Sequence, residues 1–184
     1  MSKQQYLIFL DRDGTLIHHI PYLCDPEHVQ LLPGVKHGLK QLKAAGHLLF
    51  LHTNQSGVGR GYFPLQKAVE CNNKMLKLLD DEIPLFEEIC IAPEHPDKPQ
   101  IYRKPSPKFA LEMCKKYSVL PDRIIYVGDT PSDLLAAKNA GGTAVGVNTG
   151  DGPLRDKLRQ QGLDKIFTVF DSFEEAVHYL LSNT

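Results

Sequence analysis

The chain has 184 residues, 42% of them hydrophobic and 23% charged, a balance that supports one globular domain, residues 1–184, and excludes disordered, collagenous and disulfide-scaffold proteins. Basic side chains number 21 against 22 acidic ones, so no global positive field exists to hold nucleic acid or an anionic membrane. Cys24, Cys71, Cys90 and Cys114 stand far apart without a C-x-x-C pair and read as free thiols in a reducing compartment.

The polar start, Met1 to Gln5, and the five apolar residues Tyr6 to Leu10 are too short for a signal peptide or a membrane span, so a cytoplasmic protein is expected. Tyr6 to Leu10 reads as a buried strand. Val35 to Ala45, opened by Pro33-Gly34 and closed by Gly46, reads as a helix, and Leu48 to Leu51 as the next strand. Pro64 opens a second helix whose Ala68, Asn72, Met75, Leu76 and Leu79 share one face, followed by a strand over Phe86 to Ala92. A helix from Ser106 or Pro107 to about Tyr117, a strand over Arg123 to Val127 and a helix over Pro131 to Asn139 come next, the last ended by Gly141-Gly142. Thr143 to Val147, Leu154 to Gln160, Ile166 to Val169 and Phe173 to Leu181 complete the pattern as strand, helix, short strand and helix. This alternation predicts a Rossmann-like three-layer α/β sandwich with a mainly parallel sheet.

Four polar clusters fall at the carboxyl ends of predicted strands: Asp11-Arg12-Asp13-Gly14-Thr15, Thr53 to Gly57, Arg103-Lys104-Pro105, and Gly128 to Asp133. Ligands of open α/β sheets bind outside those ends, so the clusters are expected to meet. Together they suit phosphoryl transfer. One carboxylate can attack phosphorus, a lysine can neutralise phosphate, further carboxylates can hold Mg²⁺, and hydroxyl or amide donors can reach the equatorial oxygens. A carboxylate two residues after the nucleophile can serve as acid and base. Taken singly the pieces have plainer readings: a strand-end turn for Asp-Gly, and helix caps for Thr53, Asp129 and Asp133. Gly57-Val58-Gly59-Arg60-Gly61 lacks the form of a nucleotide P-loop.

The four motifs, in this order, resemble those of the haloacid dehalogenase (HAD) superfamily over nearly the whole chain. The resemblance implies Asp11 as the nucleophile that becomes aspartyl-phosphate and Asp13 as the acid and base. It further implies Thr53 and Lys104 as phosphoryl ligands. Mg²⁺ would be held by the Asp11 carboxylate, the Asp13 carbonyl and Asp129, with Asp133 behind them orienting Lys104 or a metal-bound water. About forty residues separate Asp13 from Thr53 and about fifty separate Thr53 from Lys104, which leaves no room for a large cap domain. Within the capless phosphatases, Thr53 to Gly61 and Arg103-Lys104-Pro105 look like the heptose-bisphosphate group, with histidinol-phosphate phosphatases as the alternative.

The implied substrate is a small phosphorylated sugar, with D-glycero-D-manno-heptose 1,7-bisphosphate leading. The residues expected to bind it are His19 and Tyr22 in a flap, Asn54 and Arg60 after the second strand, and Arg103. Members of that group carry a zinc loop with Cys-x-His in a C-P-H-H-P-like segment and Cys-x-Cys before Arg-Lys-Pro. This chain has Ala92-Pro93-Glu94-His95-Pro96 and Gln100-Ile101-Tyr102 instead, so no zinc is expected. Separately, the chain is expected to act as a monomer. A receiver-type phosphoacceptor lacks the acid at plus two, a dehalogenase needs neither that acid nor Mg²⁺, and a phosphosugar-binding pseudoenzyme would share the motifs without turnover.

Overall fold

The computed structural model describes residues 4–79 and 84–184; Met1 to Lys3 of the polar start lie outside the described residues. One sheet carries six strands, β1 (Leu7–Leu10), β2 (Leu48–Asn54), β3 (Phe86–Ala92), β4 (Ile124–Gly128), β5 (Thr143–Val147) and β6 (Thr168–Phe170). Their order is β3-β2-β1-β4-β5-β6 and every pairing is parallel. The helices are α1 (Val35–Ala44), α2 (Ser56–Gly59), α3 (Leu65–Leu79), α4 (Lys108–Tyr117), α5 (Pro131–Ala140), α6 (Leu154–Gln160) and α7 (Phe173–Asn183).

β1 is central, paired with β2 on one side and β4 on the other. A continuous apolar run suits a strand covered on both faces, and its period of two divides the core. Ile8 and Leu10 join Leu39 and Leu42 of α1, Met75 of α3 and Phe173 of α7. Leu7 and Phe9 join Phe109 of α4 and Ala136 and Ala137 of α5 on the opposite face. The three layers expected from the alternating pattern are present.

Two differences bear on the site. β2 continues through His52, Thr53 and Asn54, beyond the apolar run that marked it, because β3 pairs with it up to Asn54↔Ala92. The segment after it, the end of the polar cluster Thr53 to Gly57, folds into the single turn α2. The longer β2 places Thr53 and Asn54 on regular backbone, where their side chains are aimed by the sheet. Among the described residues no helix is long and apolar enough to cross a membrane.

Candidate active site

The chain leaves β1 at Asp11 and β4 at Asp129, and these strands are neighbours across the point where the strand order reverses. The Asp11 amide donates to the Val127 carbonyl at 3.0 Å, which locks the two strand ends together. Asp11, Asp129 and Asp133 bring one carboxylate oxygen each within 4.8 Å of one another. Lys104 enters from the loop after β3. Its ammonium donates to Asp11 Oδ1 and to the His52 carbonyl, both at 2.6 Å, and lies 2.6 Å from Asp133 Oδ1.

Burial makes this cluster electrostatically demanding. Desolvation pushes Asp11 up to about 6, with Lys104 opposing and Asp133 and Asp13 adding to the rise. Asp129 is pushed up to about 9 by burial and by the negative charges of Asp11 and Asp133. Burial pulls Lys104 down, but Asp11 and Asp133 outweigh it and hold the ammonium charged. Backbone without side chains makes room for the carboxylates: a Cβ on Gly150 would lie 1.6 Å from Asp129 Oδ2, and one on Gly14, at φ +83°, 2.5 Å from it.

Asp133 does two jobs. Its Oδ2 accepts from the Thr130 amide at 2.9 Å and hydroxyl at 2.6 Å, capping α5, while Oδ1 faces Lys104. The cap contact to Thr130 and the ion pair with Lys104 are both present on this one side chain.

Asp13 is set apart from the cluster, with 18% of its side chain exposed. Arg12 holds it with two nitrogens, Nε to Oδ2 at 3.1 Å and Nη2 to Oδ1 at 3.2 Å, and Gln55 Nε2 donates to Oδ2 at 2.8 Å. Arg12 is itself fully buried and donates to Asn72 Oδ1 at 2.7 Å and the Ala68 carbonyl at 3.3 Å on α3. Thr53 is buried behind this group, accepting from Gln55 at 2.8 Å with its hydroxyl 3.4 Å from Asp13.

Two adjoining pockets open here. One, of about 240 Å³, is lined by Asp11, Asp13, His19, Asn54, Arg103, Lys104, Asp129, Asp133 and, among others, Lys157. The other, of about 360 Å³, is lined by Tyr22, Leu23, Gln55, Gly57 and Phe63 and shares Asp13, His19, Asn54 and Asp151 with the first. Nearly all the expected site residues therefore converge. Thr53 and Arg60 line neither pocket, and Arg60 is exposed. Arg103 Nη1 is buried with no hydrogen-bond partner, an orphaned cationic donor at the cleft.

Sequence reasoning passed over Arg12, Gln55, Asp151 and Lys157. Asn72 was the available signal for Arg12, since an amide on the apolar face of a helix needs a buried polar partner.

Hard oxygen donors suit Mg²⁺, and three crowded carboxylates sharing one ammonium fit a divalent cation. Asp11, Asp129 and Asp133 bring the oxygens that could hold it; the resemblance implies Asp11 and Asp129 with the Asp13 carbonyl.

The family model for haloacid dehalogenase-like hydrolases matches residues 22–141. The D-glycero-beta-D-manno-heptose-1,7-bisphosphate 7-phosphatase of Haemophilus ducreyi is 35% identical over 181 residues, covering 94% of this chain and 97% of that protein. The protein of the same name from Pasteurella multocida is 37% identical over 139 residues, covering 72% and 76%. The crystal structure of D,D-heptose 1,7-bisphosphate phosphatase from B. bronchiseptica, complexed with magnesium and phosphate, superposes with a TM-score of 0.86 at 31% identity over 97% of this chain and 99% of that one. With its motifs gathered at the strand ends as described, the chain belongs to the haloacid dehalogenase-like hydrolase family, as one of its phosphatases.

Proposed function

We propose that the chain removes the 7-phosphate of D-glycero-D-manno-heptose 1,7-bisphosphate through a covalent aspartyl-phosphate. The observation that carries the bisphosphate reading is Arg103, whose buried Nη1 lacks a partner and whose side chain lines the same pocket as Asp11 and Lys104. A guanidinium suits a phosphate that is bound but not transferred. The names of the relatives support the same substrate.

In this reading Asp11 Oδ forms a bond to phosphorus as the bond to the sugar oxygen breaks, and Asp13 gives its proton to that oxygen. Water then attacks phosphorus, Asp13 takes the proton from the water, and Asp11 departs as carboxylate. Arg12 and Gln55 hold Asp13 toward the wider pocket, where the leaving group would sit. Lys104 neutralises the transferring group, and Asp133 and the His52 carbonyl fix its ammonium. Bound Mg²⁺ would supply charge neutralisation to the phosphoryl oxygens. Thr53 serves as a phosphoryl ligand, and His19, Tyr22 and Asn54 contact the sugar from the pocket walls. We assign the protein to the cytoplasm as a zinc-free monomer acting on a small metabolite.

Steady-state kinetics with Mg²⁺ tests this. Asp11→Asn should lose on the order of 10⁶-fold in rate, as nucleophile removal does elsewhere. Arg103→Ala should depress kcat/KM for the bisphosphate far more than for a simple aryl phosphate, which lacks the second group. Near-normal turnover by Asp11→Asn overturns the mechanism. Efficient hydrolysis of histidinol phosphate without heptose activity overturns the substrate.

A further inference from the structure

The segment Ile101 to Lys104 has no helix or strand to set its path, yet it delivers both Arg103 and Lys104 to the cleft. Its backbone groups are held by four side chains, Glu94, His52, Asn54 and Ser106, the last donating its hydroxyl to the Ile101 carbonyl at 2.7 Å. Glu94 Oε1 accepts from the amides of Ile101 at 3.2 Å, Tyr102 at 2.6 Å and Arg103 at 3.2 Å. His52 Nε2 lies 2.9 Å from the Tyr102 carbonyl, with Nδ1 2.9 Å from the Tyr126 hydroxyl. Burial, with Lys104 adding to it, pushes His52 down to about 3, so the ring is neutral, its Nε2–H donating and its Nδ1 accepting. Asn54 accepts from the Lys104 amide at 2.9 Å and donates to the Lys104 carbonyl at 3.1 Å.

These contacts divide the segment. Asn54 grips Lys104 alone, and the Lys104 ammonium has its own three partners. Glu94 grips the three residues before it and does not reach Lys104. Three amides converging on one carboxylate oxygen form an anion nest, and such charge-assisted bonds are about twice as strong as neutral ones. Although burial works against the charged form, the amides of Tyr102, of Glu94 itself, of Arg103 and of Ile101 outweigh it and keep Glu94 below the usual carboxylate range. Glu94 spends Oε1 on backbone, and Arg103 Nη1 remains without a partner.

We propose that Glu94 is a positioning residue that fixes the 101–103 backbone and so presents the Arg103 guanidinium to the cleft, governing recognition of the second anionic group and not the phosphoryl chemistry. This rests on the reading in which Arg103 receives the remote phosphate. It separates specificity from turnover along four consecutive residues.

The test compares Glu94→Ala, Glu94→Gln and Arg103→Ala with the unaltered chain in two measurements. Hydrogen exchange reads the amides of Ile101 to Arg103, and kinetics reads the heptose bisphosphate against an aryl phosphate. Glu94→Ala should speed exchange at those amides and lower kcat/KM for the bisphosphate about 10- to 100-fold, the equivalent of losing hydrogen bonds to a charged group. kcat on the aryl phosphate should stay within about twofold, the loss falling on recognition of the remote group. Glu94→Gln keeps an acceptor oxygen and should recover part of both effects, which guards against a Glu94→Ala protein that fails to fold. Unchanged exchange in both Glu94 variants overturns the clamp. Equal losses on the two substrates would place Glu94 in the fold or the catalytic core and overturn its assigned role. Selective loss in Arg103→Ala without any in Glu94→Ala removes Glu94 alone, whereas equal losses in Arg103→Ala remove the remote-phosphate reading itself.

Discussion

In the absence of Mg²⁺ the cleft should make the protein less stable as pH rises, and a single carboxylate-to-amide change should lessen that decline. Asp11 and Asp133 pair with one ammonium, Lys104, and Asp129 crowds the same carboxylates, so full ionisation would leave two negative charges uncompensated. Asp11 rises from 3.8 to about 6, chiefly through burial. A carboxyl whose folded pKa is raised favours the folded state while protonated. Its contribution is fully present below the unfolded value and is lost as pH climbs through the folded one. For Asp11 the loss develops between about pH 4 and 6, and roughly two pKa units correspond to about 3 kcal/mol. Asp129, pushed up to about 9, extends the decline in the same direction toward alkaline pH. At about 2–4 °C per kcal/mol for a chain of this size, the Asp11 part alone amounts to roughly 6–12 °C in Tm.

Thermal unfolding with and without Mg²⁺ at pH 5 and pH 8 reads this out, with Asp129→Asn as reference for carboxylates elsewhere in the chain. Metal-free Asp129→Asn should unfold at a higher temperature than the metal-free parent at pH 8, show a smaller difference at pH 5, and respond weakly to Mg²⁺. The parent should gain more from Mg²⁺ at pH 8 than at pH 5, since protons and the cation compete for the same oxygens. A metal-free Asp129→Asn protein less stable than its parent at pH 8 would refute the account, because the aspartate would then be adding stability in place of strain.

Arg12→Met should destabilise the fold by about 3–5 kcal/mol in denaturant melts, because it leaves Asn72 and Asp13 without their buried cation. Arg12→Lys keeps the charge but loses the two-nitrogen grip on Asp13, so its rate loss should be larger for a sugar phosphate than for an aryl phosphate whose leaving oxygen needs no proton. Protein purified without added metal should contain far less than one zinc per chain by elemental analysis; a tight stoichiometric zinc whose removal unfolds the chain would show that the loop from Ala92 to Tyr102 binds metal after all.

Elements carried by local chemistry were legible in the sequence. Each strand was marked by its apolar run, α5 by Pro131 and Gly141, and the site by acidic and polar clusters where those runs ended. Side chains whose meaning lies in a distant partner were not. Arg12 looks like a solvated charge until Asn72, 60 residues away, is brought beneath it by α3. His52 reads as the tail of a strand and becomes a neutral bridge only when Tyr126 of β4 and the Tyr102 carbonyl close around it. Glu94 stands where the resembling family has a histidine of its zinc loop. Its substitution signalled a lost metal ligand, but its grip on three amides depends on how the following residues curl back toward it. Arg60 marks the opposite case: a charge in a suggestive motif that the fold leaves exposed, outside both pockets.

Asp133 shows how closely fold and chemistry are joined here. One of its oxygens completes the cap of α5 and the other receives Lys104, so the rotamer that stops the first turn of the helix from fraying also sets the ammonium of the cleft. That rotamer fits only because β4 ends in glycine: a Cβ on Gly128 would lie 2.3 Å from Asp133 Cβ and Cγ. An amide at 133 could preserve much of the cap, since one oxygen still accepts from Thr130, but it would remove the charge beside Lys104. The ammonium would then keep Asp11 as its carboxylate partner beside the His52 carbonyl, and in the proposed mechanism Asp11 is the group that attacks phosphorus. On the proposed mechanism Asp133 would therefore keep the nucleophile available by sharing its counter-ion, a role that neither the capping motif nor the acidic cluster conveys on its own.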